Sequence, residues 1–463
     1  MKRSYILCLT LGIVCILTAC SSDKETSINL NEVKYAEDGK QILTVASFGS
    51  ITPKFSAYTQ FPHDFSVEIV NYCPEGTTYE EASRQLDMDM IQGKSPDILF
   101  APPEKMYNYI RKSAMADLYP LMDEYGGLTR DEFLPNVLEG LTVDGELPAV
   151  IDSFFLSTAV TKTKFVGEEY TDWTPEQAIQ FYENLSDGMD FIDASDELLA
   201  DYMLTNIACE CIDFENNTCD FSGSNFVDVL RFCAEHPVKP KREFDFEHAT
   251  DREIAEYLFD ASTRGMSDEQ LVFPLTITGF DSGLAEQTYG HLNFEEFTIV
   301  GLPSNNGSGA RAWRYRQTYP YGILKGCSDK ESAWKLISSY VKYRKPLEKN
   351  ANDGTLGIPT IKSLFDIDYE RDEDYNNSIN RKVYKPAQGA NEIDNITSYL
   401  PQDLKDKLRD YIFSVKFDIY FPEEILDIVE EEYQPVLVGE RSPEQAAEIL
   451  DKRISIVLSE RVG

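Results

Sequence analysis

The sequence predicts an α/β fold, and three observations support this prediction. Short apolar segments typical of buried strands alternate with amphipathic segments typical of helices between residues 41 and 101. Later segments begin with helix-capping motifs. Of the 463 residues, 42% are hydrophobic and 12% are aromatic, which provides a substantial core and excludes wholesale disorder. This length is large for a single core, so we expect two or three lobes.

The predicted strands and helices follow one another in the order that a parallel sheet requires. Strands are predicted over residues 42–47, 65–70, 97–101, 271–277 and 297–301. A Thr78-x-x-Glu81 capping box begins a helix between the second and third strands. Strands that alternate with helices predict a parallel sheet covered by helices.

Three more capping boxes mark helix starts in the rest of the chain. They begin at Thr174, Ser328 and Ser442, each with a Glu or Gln three residues later. Trp173 precedes the first of these caps, and Trp334 lies on the apolar face of the helix that follows the second. We expect both tryptophans in the core.

The first twenty residues predict an export signal that ends at a lipidated cysteine. Lys2 and Arg3 precede an uncharged apolar run over residues 6–17, which is too short to span a bilayer comfortably. Residues 17–20 (LTAC) place small residues before Cys20 and resemble the bacterial lipobox, in which the cysteine receives a diacylglyceryl group. We expect cleavage after residue 19, lipid on Cys20 and a flexible tether over residues 20–40. An uncleaved N-terminal anchor is the alternative, and either arrangement places the remaining chain outside the cytoplasm.

The charge of the chain excludes one class of partner. The formal net charge is −37, and removal of residues 1–19 takes away Lys2 and Arg3 but no acid, which leaves −39. Such a surface repels nucleic acid and anionic lipid head groups. We therefore expect no nucleic-acid partner, and no polyanionic ligand held by general electrostatics.

Six cysteines follow Cys20 and allow three interpretations. They are Cys73, Cys209, Cys211, Cys219, Cys233 and Cys327. Cys233 lies in a helical apolar stripe, which favours buried thiols that act as small hydrophobic groups. A bridge from Cys209 or Cys211 to Cys219 is the second interpretation, since export permits disulfides. A metal site is the third, and the spacings fit no standard zinc pattern.

No motif in the sequence indicates catalysis. The chain has no G-x-S-x-G elbow, P-loop, dinucleotide-binding glycine pattern or H-E-x-x-H motif. Acidic residues are so abundant that a glycosidase pair proposed from them carries no weight without a spacing rule. We expect no enzymatic activity, no cofactor and no metal.

An aromatic and basic segment stands out in this acidic chain. Residues 311–323 (RAWRYRQTYPYGI) combine tryptophan and tyrosines with three arginines. Flat ring faces beside bidentate donors suit a polyhydroxylated ring, which needs stacking and hydrogen bonds. Trp313 is the best single candidate for a ligand contact, whereas Tyr321 is expected in the core.

Eight short motifs, in order, resemble the family-one extracellular solute-binding proteins of ABC importers. Examples are residues 93–99 (GKSPDIL), similar to the family's G-x-x-P-D-I passage, and residues 116–123 (ADLYPLMD), similar to its D-L-x-P-x-x-D segment. The others lie at residues 43–49, 64–72, 143–148, 300–304, 330–336 and 439–447. The resemblance covers nearly the whole mature chain.

The resemblance implies a two-lobed, periplasmic-binding-protein-like (type II) α/β fold with a ligand cleft between the lobes. Lobe 1 would comprise residues 41–152 and 302–345, and lobe 2 residues 153–301 and 346–463. Carried over position by position, the expected ligand contacts are Phe48, Gly49, Ser50, Phe154, Arg311, Trp313 and Tyr315. Asp97, between two motif residues, is expected to be structural.

The same resemblance implies a membrane-anchored receptor that captures its ligand by lobe closure. The receptor would act as a monomer and deliver the ligand to the transmembrane permease subunits of an ABC importer, with the lipid on Cys20 holding it near them. The family often binds oligosaccharides, and with the aromatic segment this predicts a sugar or oligosaccharide ligand. Arg311, Arg314 and Arg316 suggest a peptide or other polar solute as the alternative. A surface glycoside hydrolase is a more distant alternative.

Overall fold

The computed structural model describes residues 32–48, 65–186, 188–192, 196–214, 216–236, 250, 268–280, 292, 295–306, 319–343, 357–370, 402–417 and 419–460. Within these ranges, no helix has the length and apolar character needed to cross a membrane.

The first sheet forms around one buried central strand. Its strands are β1 (Lys34–Tyr35), β2 (Gln41–Ser47), β3 (Phe65–Asn71), β4 (Ile98–Phe100) and, from much later in the chain, Tyr321–Ile323. β2 pairs in parallel with β3 along its whole length and with β4 over residues 45–47, while the late strand pairs antiparallel to β4. The three strands predicted before residue 101 are confirmed.

Asp97 fastens β4 to β2 through side-chain contacts. Its Oδ2 accepts hydrogen bonds from the backbone N–H and the hydroxyl of Thr44, each at 2.8 Å. The structural role predicted for Asp97 is confirmed.

Ordered structure begins earlier than the sequence predicts. β1 pairs antiparallel with β2, although Lys34 and Tyr35 lie inside the stretch predicted as a tether. Both residues are exposed, so this strand is held by backbone hydrogen bonds rather than by apolar burial. Apolar pattern therefore gave no signal for it.

A crossing leads from the first sheet to the second. Two short strands, β5 (Ser153–Phe154) and the later Ile358–Pro359, pair antiparallel in this crossing. The second sheet follows with β6 (Leu156–Lys162) and β7 (Asp190–Ile192). A small hairpin comes next, formed by β8 (Ile212–Asp213) and β9 (Thr218–Cys219).

The second sheet is completed by two strands that flank β6. These are β10 (Gln270–Ile277) and β11 (Phe297–Ile299), both antiparallel to β6, and β10 also pairs in parallel with β7. The strands predicted over residues 271–277 and 297–301 are confirmed. In chain order the remaining strands are β12 (Tyr321–Ile323) of the first sheet and β13 (Ile358–Pro359) of the crossing.

Helices cover both sheets. They are α1 (Tyr79–Ile91), α2 (Pro103–Arg111), α3 (Tyr119–Tyr125), α4 (Pro135–Leu141), α5 (Thr163–Val166), α6 (Pro175–Glu183), α7 (Asp196–Glu210), α8 (Phe226–Glu235), α9 (Lys330–Tyr343), α10 (Lys362–Tyr369), α11 (Gln402–Ser414), α12 (Glu423–Leu437) and α13 (Pro443–Glu460). Short 3₁₀ turns lie at Arg130–Glu132 and Glu168–Tyr170.

The capping boxes predicted at Thr78, Thr174 and Ser442 are confirmed by reciprocal hydrogen bonds between side chain and backbone. The cap predicted at Ser328 is wrong. The neighbouring Asp329 caps α9 instead, since its Oδ1 accepts from the backbone N–H of Ser332 at 3.0 Å. A carboxylate is at least as good an N-cap as a serine hydroxyl.

Buried side chains form two hydrophobic clusters. The first contains the core of the first sheet, the crossing and much of residues 408–420, and the second contains the inner faces of α7, α8, α12 and α13. β6 lies between them, with Val160 in the first cluster and Ala159 in the second. The lobe boundaries expected from the resemblance stay a prediction.

Tryptophans and cysteines take the positions expected of core residues. Trp173, Trp334 and Tyr321 are buried, as predicted. Cys211 and Cys233 are buried free thiols in the second cluster, and burial raises the pKa of each thiol to about 12. A thiol that stays protonated acts as a small apolar group, so the preferred interpretation is confirmed for these two cysteines.

Candidate functional site

The ends of β2 and β4 form the edge at which the resemblance locates a ligand. Because the two strands are parallel, with Ser47 opposite Phe100, the residues that follow them emerge side by side. Ligands of open α/β sheets bind outside the carboxyl ends of such strands. The edge is therefore the first half of the candidate site.

Aromatic rings support this edge from inside. Phe48 is fully buried and stacks on Tyr72, with ring centroids 6.1 Å apart. Phe100 packs against Tyr321 at 4.7 Å and Tyr319 at 5.2 Å. These contacts fix the backbone where the chain leaves each strand, and offset ring pairs add to the stability of such a cluster.

The outgoing crossing, residues 149–156, connects the first sheet to the second. It begins where Val150 bridges Tyr321 of the first sheet and ends where Leu156 pairs with Ile277 of the second. Between these points Phe154 is buried, and its ring meets Phe417 edge-on at 4.8 Å. The crossing is thus held at both ends and packed in the middle.

A close backbone approach locks β13 against this crossing. Gly357 has φ +60°, and a Cβ added there would lie 2.9 Å from the carbonyl oxygen of Phe154. Thr360 donates its hydroxyl to the carbonyl of Ile151 at 2.8 Å. Glycine is needed at position 357 both for the positive φ and for the space.

The return connection, residues 300–306, leaves the second sheet at the end of β11. Backbone N–H groups of Val300 and Gly301 both donate to the carbonyl of Ala159, at 3.0 and 3.1 Å, and Gly301 has φ +67°. Because both N–H groups share the one carbonyl, the pairing of β11 with β6 ends at this point. The segment predicted to carry Arg311, Trp313 and Tyr315 follows in sequence.

A buried polar group that no sequence pattern predicted lies beside the return connection. Asp172 has φ +55°, and its Oδ1 is buried with no hydrogen-bond partner among the described residues. Burial raises the pKa of this carboxyl to about 6 and outweighs the hydroxyl of Tyr411, which acts in the opposite direction and lowers the pKa. The Tyr411 hydroxyl also contacts the hydroxyl of Thr158 at 2.8 Å.

A shallow surface depression of about 510 Å³ lies elsewhere, around α3. The Arg130 guanidinium covers the ring of Tyr119 at 3.8 Å and contacts Asp123 at 3.4 Å. Asp117 and Glu124 also line it. Of the expected ligand contacts that the structure describes, neither Phe48 nor Phe154 lines this depression. Its open, acidic walls differ from the mostly apolar pocket of a small-molecule site.

The structure describes two of the seven expected ligand contacts. Phe48 and Phe154 lie at the strand edge and in the outgoing crossing, both fully buried. Gly49, Ser50, Arg311, Trp313 and Tyr315 lie outside the described residues, as does Cys20. The ligand contacts and the lipidation therefore stay predictions. Within the described part of the chain, no group of His, Cys, Asp and Glu side chains is arranged to hold a metal ion.

Comparison with known proteins identifies the fold. No family model and no curated protein matches the chain. Solved structures match it over nearly its whole length. The sugar-binding protein MalE from Xanthomonas citri has a TM-score of 0.56 at 14% identity, over 91% of this chain and 98% of that one.

Two further structures agree. A periplasmic oligogalacturonide binding protein from Yersinia enterocolitica has a TM-score of 0.54 at 12% identity, over 91% of this chain and 100% of that one. An extracellular solute-binding protein family 1 member from Alicyclobacillus acidocaldarius has a TM-score of 0.52 at 13% identity, over 92% and 100%. At these identities the likeness is one of fold, and it confirms the predicted two-lobed, periplasmic-binding-protein-like α/β class.

Proposed function

We propose that this chain is the solute-binding receptor of an ABC importer and that it captures a sugar or oligosaccharide between two lobes. The observation that carries the proposal is the fold shared over 91% of the chain with a sugar-binding protein. The two sheets, the crossing between them and the strand edge of β2 and β4 supply the frame that such capture needs. Ligand contacts on both lobes would stabilise the closed state.

We further propose that the expected contact residues fall into two groups, those that support the site and those that touch the ligand. Phe48 and Phe154 support the site from within, because neither ring is exposed. Direct contacts come from Gly49, Ser50, Arg311, Trp313 and Tyr315. Trp313 would stack on the sugar ring, and Arg311 would hydrogen-bond its hydroxyl groups.

The ligand we propose is neutral. The net charge of −37 disfavours a polyanion unless a local basic pocket overrides it. Proteins of similar fold are described with charged and with neutral sugars. The Yersinia enterocolitica protein is an oligogalacturonide binding protein, and an ABC substrate-binding protein from Listeria monocytogenes, with a TM-score of 0.50 at 12% identity, was solved in complex with cycloalternan. Neutral glucose oligomers are therefore expected to bind more tightly than galacturonides.

Isothermal calorimetry tests the proposed ligand. Purified protein without its first nineteen residues is titrated with maltotriose, cycloalternan, trigalacturonate and a mixture of tripeptides. A neutral sugar is expected to bind with a dissociation constant in the micromolar range or below, which corresponds to about 8 kcal/mol. Binding of the peptides alone would replace the sugar with a polar solute. Release of shorter sugars during incubation would indicate a glycoside hydrolase.

The membrane attachment is a separate part of the proposal. Lipid on Cys20 would hold the receptor outside the cytoplasm and near the permease, which raises its effective concentration there. Metabolic labelling with an alkyne fatty acid is expected to label the full chain, and Cys20→Ala to abolish the label. A labelled Cys20→Ala protein would contradict this assignment.

A further inference from the structure

Helix α7 directs three polar side chains at the return connection. Tyr202, Asn206 and Glu210 are spaced four residues apart, which places them on one face of the helix. The Tyr202 hydroxyl donates to the carbonyl of Gly301 at 2.8 Å, and the Asn206 amide donates to that of Leu302 at 3.1 Å. One helix face thus follows the chain as it leaves the second sheet.

Glu210 makes the largest contribution to this contact. Its carboxylate accepts hydrogen bonds from the Ser304 hydroxyl at 2.6 Å and from the backbone N–H groups of Asn305 at 3.1 Å and Asn306 at 3.3 Å. Ser304 is 1% exposed, so the first of these bonds is shielded from water. Charge-assisted hydrogen bonds of this kind are stronger than neutral ones.

The position of Glu210 in its own helix does not explain why a carboxylate is found there. Glu210 is the last residue of α7, where the free carbonyl groups carry partial negative charge. A carboxylate is unfavourable there and contributes nothing to the helix. Its three bonds to residues 304–306 are what the carboxylate provides in this structure.

The residues that Glu210 holds belong to no strand. Among the described residues, the backbone of the return connection also pairs with Trp173, whose N–H donates to the carbonyl of Val300 at 3.3 Å and whose carbonyl accepts from the Ser304 N–H at 3.2 Å. Asn305 adds a reciprocal amide pair with Asn225, at 2.9 and 3.2 Å. Within the described residues, side chains therefore do most of the work of holding this connection.

We propose that Glu210, together with Asn206 and Tyr202, is a positioning residue that fixes the return connection to the second lobe. This proposal rests on the proposed function, because it assigns to these residues a control over ligand affinity without contact with the ligand. A fixed connection moves with its lobe. A loose one adds conformations to the open state, and closure must remove them at the expense of ligand affinity.

The first test needs no ligand. Hydrogen exchange of peptides covering residues 301–306 is compared in wild type, Glu210→Ala, Glu210→Gln and Asp451→Ala. Asp451 is the matched control, since it also accepts from two backbone N–H groups and a hydroxyl, of Phe221 and Ser222, in another turn of the second cluster. Glu210→Ala is expected to speed exchange at residues 305 and 306 about tenfold, Glu210→Gln less, and Asp451→Ala not at all.

The second readout is the distance between lobes, also without ligand. Fluorophores are introduced by unnatural amino acids at Ile91 and Val438, which are 78% and 69% exposed and lie in the two halves of the molecule. Energy transfer is expected to show a broader distance distribution in Glu210→Ala than in wild type or Asp451→Ala. An unchanged distribution, or unchanged exchange, would overturn the positioning role.

The third readout is affinity for maltotriose, cycloalternan or trigalacturonate, whichever binds wild type most tightly. Glu210→Ala is expected to bind about tenfold more weakly, with partial recovery in Glu210→Gln. Asp451→Ala should bind the sugar like wild type, although its melting temperature should fall by about as much as that of Glu210→Ala. Wild-type affinity in Glu210→Ala would refute the inference and leave the proposed function intact. If no sugar binds wild type, the proposed function fails, and exchange and distance still decide the role of Glu210.

Discussion

The outgoing crossing and the return connection join the same two sheets, but different chemistry holds each of them. The outgoing crossing is fixed by strand pairing with β13 and by the ring of Phe154 against Phe417. The return connection depends on Tyr202, Asn206 and Glu210. The outgoing crossing is therefore held mainly by backbone pairing and apolar packing, whereas polar side chains of one helix hold the return connection.

The largest effect is expected in the outgoing crossing. Phe154→Ala removes a ring that is 1% exposed and leaves a cavity beside Phe417, so the free energy of unfolding should fall by about 3–5 kcal/mol. Urea unfolding measures this. Phe413→Ala is the control, because that ring is 40% exposed and its loss should cost about 1 kcal/mol or less. Equal losses in the two variants would mean that the buried ring of Phe154 does not hold the outgoing crossing.

A smaller effect is expected from the hydroxyl at the start of the return connection. Tyr202→Phe leaves the carbonyl of Gly301 and the indole N–H of Trp173, 2.9 Å from the hydroxyl, without their partner. Two buried polar groups lose a bond, so the free energy of unfolding should fall by about 1–3 kcal/mol. Tyr35→Phe, at a 66% exposed position, should unfold like wild type in the same urea series. Wild-type stability of Tyr202→Phe would mean that this hydroxyl does not help to hold the return connection.

A pH effect is expected beside the same connection. The pKa of Asp172 is raised from 3.8 to about 6, so the folded protein binds more protons than the unfolded chain between these values. Stability contributed by this group is therefore highest below pH 4 and is lost as pH rises to 6. After allowance for its partial exposure, the loss should be about 1–2 kcal/mol.

Asp172→Asn removes the carboxyl, so a comparison with wild type separates the contribution of Asp172 from the other pH-dependent contributions to stability. The difference in unfolding free energy between Asp172→Asn and wild type should grow in favour of the variant from pH 4 to pH 6. Urea midpoints at half-unit pH steps measure it. A difference that stays constant with pH would mean that the carboxyl titrates normally.

The smallest effect is expected at the outer end of the return connection. Asn305→Ala removes an exposed amide pair with Asn225, so its cost in unfolding free energy should be about 0.5 kcal/mol or less. Affinity for the bound sugar should change less than in Glu210→Ala. If Asn305→Ala weakened binding as much as Glu210→Ala, the position of the return connection would depend on the Asn305–Asn225 pair as much as on the Glu210 carboxylate.

Features set by neighbours in sequence could be predicted, and those set by distant partners could not. The caps at Thr78, Thr174 and Ser442 depend on residues three positions away, and the strands on local apolar pattern. The cap at Ser328 was misplaced by one residue because Asp329 competes for the same role. Glu210 and Ser304 are 94 positions apart, and nothing near either residue indicates that they meet.

The candidate site divides in the same way. The edge formed by β2 and β4 follows from strand order, so residues around Phe48 could be located from sequence. Asp172 could not, because its raised pKa arises from burial, which only the folded chain produces. Burial of the Phe48 and Phe154 rings was also invisible to motif comparison, which locates a backbone position and not the direction of a side chain.

The most direct test of the central claim is native mass spectrometry of the protein purified from its own cells. If the protein is a sugar receptor, a co-purified solute with the mass of a neutral sugar or oligosaccharide is expected, and the protein should release it on unfolding. A co-purified peptide, or a solute of any other class, would contradict it.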